Sequence, residues 1–191
     1  MLVELADKTK YEHFFDVFEE IRSKIGKVSY QYWVAGGCFT SHFTGNTIND
    51  YDFYTNNPKQ FIEDISNHYP EIKTDLDFAL NFKFRDTILQ ITNYPYNTPL
   101  DTIYNYDYTI CCIAFDGVSI TRCETFWEDL NAKTLRLRKN NKSPFHALER
   151  LVKYSRRGFI PTQETMLRVT RDLSKYPYTW EKIEPTHFRN F

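Results

Sequence analysis

Two aspartates, Asp50 and Asp52, stand two residues apart in the segment NDYDFYT (49–55). The segment alternates polar and aromatic residues with period two, the pattern of a half-buried β-strand whose successive side chains leave opposite faces. Both carboxylates then leave one face, roughly 6–7 Å apart along the backbone, while Tyr51 and Phe53 point to the other, toward a core. Such a pair suits Mg²⁺, or Mn²⁺ in its place, because Mg²⁺ takes one or two carboxylates and completes its shell with water and substrate phosphates. Upstream, Gly36-Gly37 falls where the aromatic and β-branched run SYQYWVA (29–35) gives way to CFTSHFTG (38–45), a strand-to-helix junction. Without Cβ atoms the backbone admits a phosphate closely, and a helix start offers free N–H groups and the positive end of its dipole. A phosphate cradle beside metal-binding carboxylates has the composition of a nucleotidyl-transfer site. Alone, D-x-D is commonly a solvated strand face and Gly-Gly a turn; their order and closeness are the specific feature.

The elements that must position these residues follow from periodicity. Phe14, Phe18, Ile21 and Ile25 mark one face of a helix over 9–25 that ends at Gly26. SYQYWVA reads as a strand, CFTSHFTG as a short helix closed by Gly45, and NDYDFYT as a second strand. Pro58 opens a helix, PKQFIEDISNHY. ALNFKF (79–84) and TILQIT (87–92) read as strands flanking Arg85-Asp86. YTICCIAF (108–115) and VSITRC (118–123) flank Asp116-Gly117, a dipeptide favoured in two-residue hairpin turns. Helices follow over 124–132, 143–157 and 162–174, with Gly158 and Pro161 between the last two. Helices around a mixed sheet give an α+β or α/β class. The absence of repeats, low-complexity tracts and linker composition predicts a single domain over 1–191.

Composition narrows the function classes. The 191 residues carry 24 Lys+Arg against 25 Asp+Glu, a formal charge of −1, which excludes a globally basic nucleic-acid coat but not a local basic patch. Such a patch exists: residues 133–157 hold Lys133, Arg136, Arg138, Lys139, Lys142, Arg150, Lys153, Arg156 and Arg157 against one acid, Glu149. Arg150, Lys153 and Arg157 are spaced i, i+3, i+7, one helical stripe that suits nucleotide or phosphate contact, or simply a solvated face. With no apolar run near membrane-span length and no basic-then-apolar leader, the sequence predicts a soluble, untargeted protein acting in a cytoplasm. The four cysteines form no C-x-x-C and the five histidines have no metal-ligand spacing, so buried thiols are expected and zinc is not. G-x-S-x-G, P-loop and G-x-G-x-x-G signatures are absent. The tail KYPYTWEKIEPTHFRNF (175–191) suits packing over a core better than base stacking.

On these residues the chain resembles the polymerase-β-like nucleotidyltransferase superfamily, and within it the head domain of CCA-adding enzymes and bacterial poly(A) polymerases. That group carries a GG-C-V-R-D-x-L-L-G-(x4)-D-x-D pattern, on which Gly36, Gly37, Cys38, Gly45, Asp50 and Asp52 fall without a gap. Asp107-Tyr108-Thr109-Ile110 followed by CCIAFD is similar to the group's R-D-F-T-I-N-A-L-A-Y-D block. HALERLVKYSRRGF (146–159) is similar to its Arg-rich helix, with one residue dropped. The resemblance spans about residues 28–160, leaving 161–191 as a helical and aromatic extension, and implies a nucleotidyltransferase fold: a small mixed sheet flanked by helices. It implies a two-metal transfer of a nucleoside monophosphate from an NTP, ATP first among them, to an acceptor hydroxyl, with pyrophosphate released. Asp50 and Asp52 would bind Mg²⁺ or Mn²⁺, Gly36 and Gly37 the triphosphate, and Arg150, Lys153 and Arg157 the nucleotide; the acceptor is an RNA end, a protein side chain or a small molecule. The sequence departs from the pattern in three places. Thr40-Ser41 replaces Arg-Asp. Gln90 stands where the group supplies a third carboxylate, with Asp107 or Asp101 as substitutes. Only about 32 residues follow Gly158-Phe159, where CCA-adding enzymes carry long tRNA-reading domains. A catalytically weakened relative acting as a nucleotide- or protein-binding module is therefore the alternative. Stand-alone head domains of this style resemble proteins of bacteriophage and mobile elements.

Overall fold

The computed structural model describes residues 1–76, 78–138 and 143–175. In chain order its elements are β1 (Leu2–Leu5), α1 (Glu12–Ile25), β2 (Tyr32–Ala35), α2 (Gly37–Phe43), β3 (Asp50–Thr55), α3 (Pro58–Ser66), β4 (Ile72–Leu76), β5 (Ala79–Phe84) and β6 (Thr87–Thr92). There follow α4 (Pro99–Tyr104), a 3₁₀ turn (Thr109–Cys111), β7 (Ile113–Phe115), β8 (Ser119–Arg122), α5 (Phe126–Asn131), β9 (Thr134–Leu135), α6 (Pro144–Arg156), β10 (Ile160–Pro161) and α7 (Gln163–Ser174). The described residues form two compact units: 1–104 with 111–124, and 105–110 with those from 125 to 175.

The first unit is built on an eight-stranded mixed sheet in the order β1-β8-β7-β2-β3-β6-β5-β4. Its pairs are antiparallel except β3 with β6. The period-two pattern of β3 sorts its side chains: Tyr51, Phe53 and Thr55 are buried, while Asp50, Asp52 and Tyr54 are half-buried. On the buried face Phe53 registers with Val34 and Ile91, under a layer of aromatic rings from the flanking helices. Phe18 of α1 stacks on Tyr32 at 4.9 Å, Phe61 of α3 stacks on Tyr32 at 5.0 Å, and Phe39 of α2 stacks on Phe14 of α1 at 3.9 Å. α1 buries Phe14, Val17, Phe18 and Ile21, the i, i+3, i+4, i+7 set of an amphipathic helix. On the other face α4 is pinned by Trp33, whose indole N–H donates to Thr102 Oγ1 at 2.9 Å.

The second unit is mainly helical, with α5, α6, α7 and the parallel β9–β10 pair. Phe159 and Tyr154 are buried in it, and Thr165 Oγ1 accepts the Leu137 backbone N–H at 2.8 Å. α7 begins at the N-cap Thr162, whose hydroxyl accepts from the Thr165 N–H.

Two sequence expectations need correction. Residues 108–115 form no continuous strand: Tyr108 makes an isolated bridge to Leu137, Thr109–Cys111 turns as 3₁₀, and only Ile113–Phe115 joins the sheet. Buried hydrogen bonds override β-propensity here, since Tyr108 donates to the Ala147 carbonyl (2.8 Å) and Thr109 to Asp129 Oδ2 (2.7 Å). The hairpin expected to turn on Asp116-Gly117 instead turns on Gly117-Val118: Phe115 registers with Ile120, and Gly117 takes φ +92° as the first central residue. Asp116 Oδ1 accepts from both the Val118 and Ser119 N–H groups, so the aspartate caps the turn from outside it. Strands β1 and β4 and helix α4 were not anticipated; β1 (LVEL) is too short to show a period.

Candidate active site

The strand register brings the two sequence motifs of the first unit together. Ala35, the last residue of β2, pairs with Asp52 of β3, so the Gly36-Gly37 turn starts one residue beyond Asp52's cross-strand neighbour. Gly36 lies at φ +92° and ψ −144°, a backbone conformation that glycine reaches without steric cost, and it serves as N-cap of α2. Its N–H donates to the Ile113 carbonyl at 3.0 Å, which fixes the turn against β7. On the other side Asp50 registers with Ile88 and Asp52 with Gln90 of β6. The site face thus carries Gly36 and Gly37 at the end of one strand, Asp50 and Asp52 on the next, and Gln90 on the third.

Gln90 is itself anchored. Asn81 of β5 registers with it, and Gln90 Nε2 donates to Asn81 Oδ1 at 2.8 Å. Asn81 is buried. A neutral amide pair therefore continues the row from Asp52, and among the described residues no group of three His, Cys, Asp or Glu side chains is placed to hold a metal ion. Asn81 was legible in the sequence without being read: counting back from the Arg85-Asp86 turn puts it opposite Gln90.

Cys38, the second residue of α2, is buried behind this row with its thiol directed to the Ala35 carbonyl (3.6 Å). Burial pushes its pKa up, and the negative charges of Asp52 and Asp50 push the same way. The thiol is thus held protonated and un-nucleophilic. All four cysteines are buried, and none is in a disulfide.

The remaining sequence candidates lie in the second unit or serve structure. Asp107 is 4% exposed; its carboxylate accepts from the Arg150 guanidinium at 2.7 Å and from the Tyr108 N–H at 2.9 Å. Arg150 therefore neutralises a buried acid as well as standing on the α6 stripe. Lys153 is exposed on α6, whereas Arg157 is the residue after the helix, its guanidinium 5.8 Å from the Tyr154 ring centroid. Other members of the basic stretch are also engaged: Arg136 with buried Asp129, Arg138 with the Tyr106 carbonyl, and Lys133 over the Phe159 ring. Lys139, Lys142 and the aromatic tail from 176 onward lie outside the described residues. Asp101 closes a reciprocal cap at the start of α4, accepting from the Thr98 hydroxyl while its own N–H donates back to it. No helix among the described residues is long and apolar enough to cross a membrane.

Comparison with known proteins agrees with this geometry. The sequence profile of the Gabija anti-defense 2 family matches residues 6–133. A protein of Bacillus phage SPbetaL7, "Gabija anti-defense 2", is 26% identical over 142 residues, covering 71% of this chain and 36% of that protein. Among solved structures, the Thermotoga maritima CCA-adding enzyme complexed with tRNA superposes with a TM-score of 0.69 at 16% identity, covering 92% of this chain and 46% of that one. CCA-adding enzyme complexes with CTP and with ATP each superpose with a TM-score of 0.70 at 17% identity, covering 90% and 92% of this chain and 47% and 46% of theirs. The fold is that of the nucleotidyltransferase head, and the chain spans less than half the length of each of these proteins.

Proposed function

We propose that this chain, which belongs to the Gabija anti-defense 2 family, is a metal-dependent nucleotidyltransferase that moves a nucleoside monophosphate from an NTP to an acceptor and releases pyrophosphate. The observation that supports it is the row in the central sheet, where Asp50 and Asp52 share a face and the Gly36-Gly37 turn begins beside Asp52. The donor set fits a hard cation: two half-buried carboxylates, with the remaining coordination left to water and phosphate oxygens. Asp50 and Asp52 would hold Mg²⁺ or Mn²⁺, which when bound neutralises charge developing on the transferred phosphoryl group. The Gly36-Gly37 backbone receives triphosphate oxygens, ATP being the first nucleotide to try. Arg150, Lys153 and Arg157 are assigned to phosphate by their charge, Arg150 and Lys153 from α6 and Arg157 from the residue that caps it. Gln90 takes no proton, so the acceptor group loses its proton without help from that position.

The acceptor is an RNA end, a protein side chain or a small molecule in the cytoplasm of a phage-infected bacterium. The family's name and that of its phage relative refer to countering a bacterial defence, and we assign the transfer reaction to that task. A second reading, a nucleotide- or protein-binding module without turnover, draws on the Gln90–Asn81 pair standing where a third acid would help catalysis. One experiment separates them. In cells carrying the Gabija defence, this chain should restore phage plating and the Asp50→Ala/Asp52→Ala variant should not. Full restoration of phage plating by the double variant would refute the enzymatic reading and leave the binding module.

A further inference from the structure

His13, on the first turn of α1, is half-buried and takes no part in the chemistry above, yet it touches both of the elements that carry the site, β3 and α2. Its Nε2 is hydrogen-bonded to the Tyr51 hydroxyl at 2.7 Å, and Tyr51 is the residue between Asp50 and Asp52 on β3. Its ring stacks on His42 of α2, centroids 5.0 Å apart and planes at 18°. α2 is a seven-residue helix with glycines at positive φ on either side, Gly36 and Gly45. So short a helix is held by packing and not by its own hydrogen bonds. Its fastening to α1 includes two successive stacked pairs, Phe39 on Phe14 and His42 on His13, beside edge contacts of Phe14 with His42 and of Tyr11 with Phe43.

We infer that His13 is a positioning residue of the nucleotide site, tying the strand that carries Asp50 and Asp52 to the helix that opens at Gly36-Gly37, and that protonating the His13–His42 stack releases the tie. The inference rests on the nucleotide site proposed above. Neutral rings stack face to face at low cost, whereas two imidazolium ions in that arrangement repel each other. The surroundings favour the neutral pair. Burial lowers the pKa of both rings, Arg85 on the β5–β6 turn lowers that of His13 further, and His13 lowers that of His42; Asp16 on α1 acts the other way on His13. The Tyr51 hydroxyl, 2.7 Å from His13 Nε2, supplies the other half of the tie. As pH falls, protons reach half-buried rings whose stacking holds α2, and the phosphate turn loosens against the metal strand.

The test measures binding of non-hydrolysable analogues of the four NTPs with Mg²⁺ to wild type, His13→Gln, His13→Ala and Tyr51→Phe, at a temperature where all four are folded. Glutamine can accept the Tyr51 hydroxyl but does not titrate. Between about pH 7.5 and about pH 5.5, wild-type affinity should fall about tenfold more than that of His13→Gln. Tyr51→Phe and His13→Ala should already bind about three- to tenfold more weakly at the higher pH, the range expected for losing one hydrogen bond. Superimposable pH profiles for wild type and His13→Gln, or wild-type affinity in Tyr51→Phe and His13→Ala, would overturn the inference. Failure of wild type to bind any of the four analogues would instead overturn the nucleotide site itself.

Discussion

At the scale of single residues, Asp50 and Asp52 stand half-buried on one strand face, whereas four other aspartates have structural partners. Asp107 and Asp129 are buried against Arg150 and Arg136, and Asp101 and Asp116 cap a helix and a turn. Two like charges leaving one strand face repel until a cation enters, so Mg²⁺ or Mn²⁺ should raise the melting temperature, by the equivalent of about 2.7 kcal/mol at a hundredfold excess over the dissociation constant. Asp52→Ala should abolish that gain in a thermal-shift titration, and an undiminished shift would remove the metal site. Reversal of Arg150 would do more than weaken nucleotide affinity, because it strips a buried carboxylate of its partner. Arg150→Glu should therefore cost about 1–3 kcal/mol in denaturant unfolding, whereas Lys153→Glu, on an exposed side chain, should cost little and remains the clean test of phosphate binding. His13 and His42 add a pH dependence whose sign is fixed. Their folded pKa values lie below the ordinary value of about 6.5, so the unfolded chain binds protons more readily than the folded one. Stability is then fully present above about pH 6.5 and is lost as pH falls through the depressed values. The difference in melting temperature between wild type and His13→Gln/His42→Gln should be constant above that point and change only below it, as the wild type loses stability.

At the scale of elements, much of the arrangement was legible because local and tertiary preferences agree. Strand β3 was readable from its alternation, α1 from its four apolar positions, and β5 and β6 from the two residues between them. Where they conflict, sequence reading fails for identifiable reasons. Residues 108–111 have the aromatic and β-branched composition of a strand but are turned by hydrogen bonds from Tyr108 and Thr109 to groups 39 and 20 residues away, which no local pattern announces. The pairing of Asp107 with Arg150 is hidden in the same way, across 43 residues. The Gly36-Gly37 and Asp50/Asp52 motifs were each visible, but their adjacency depends on the Ala35–Asp52 register, which sequence fixes only through the fold. The β7–β8 hairpin gives an element-scale prediction. A Cβ on Gly117 would lie 2.9 Å from the Phe18 ring, and φ is +92°, so Gly117→Ala should destabilise the first unit by about 1–3 kcal/mol in equilibrium unfolding. Asp50/Asp52 chemistry should survive wherever the variant is folded.

At the scale of the whole molecule, a chain with a formal charge of −1 carries a nucleotidyltransferase fold without bulk attraction for nucleic acid. Among the described residues, five members of its basic stretch also make internal contacts, with Asp129, Asp107, the Tyr106 carbonyl and the rings of Phe159 and Tyr154. Any affinity for RNA should therefore come from a few contacts and depend only weakly on salt, in contrast to a protein that neutralises many phosphates. A steep loss of RNA binding between about 50 and 200 mM salt would contradict that expectation. The central claim, nucleotidyl transfer at Asp50 and Asp52, is tested most directly by incorporation of label. The protein is incubated with each α-labelled NTP, Mg²⁺ or Mn²⁺, and lysate of Gabija-carrying cells, beside the Asp50→Ala/Asp52→Ala variant. Covalent label on RNA, protein or a small molecule with the wild type alone is the predicted result and would identify nucleotide and acceptor class together. Metal-dependent NTP binding with no label on any acceptor would contradict the claim.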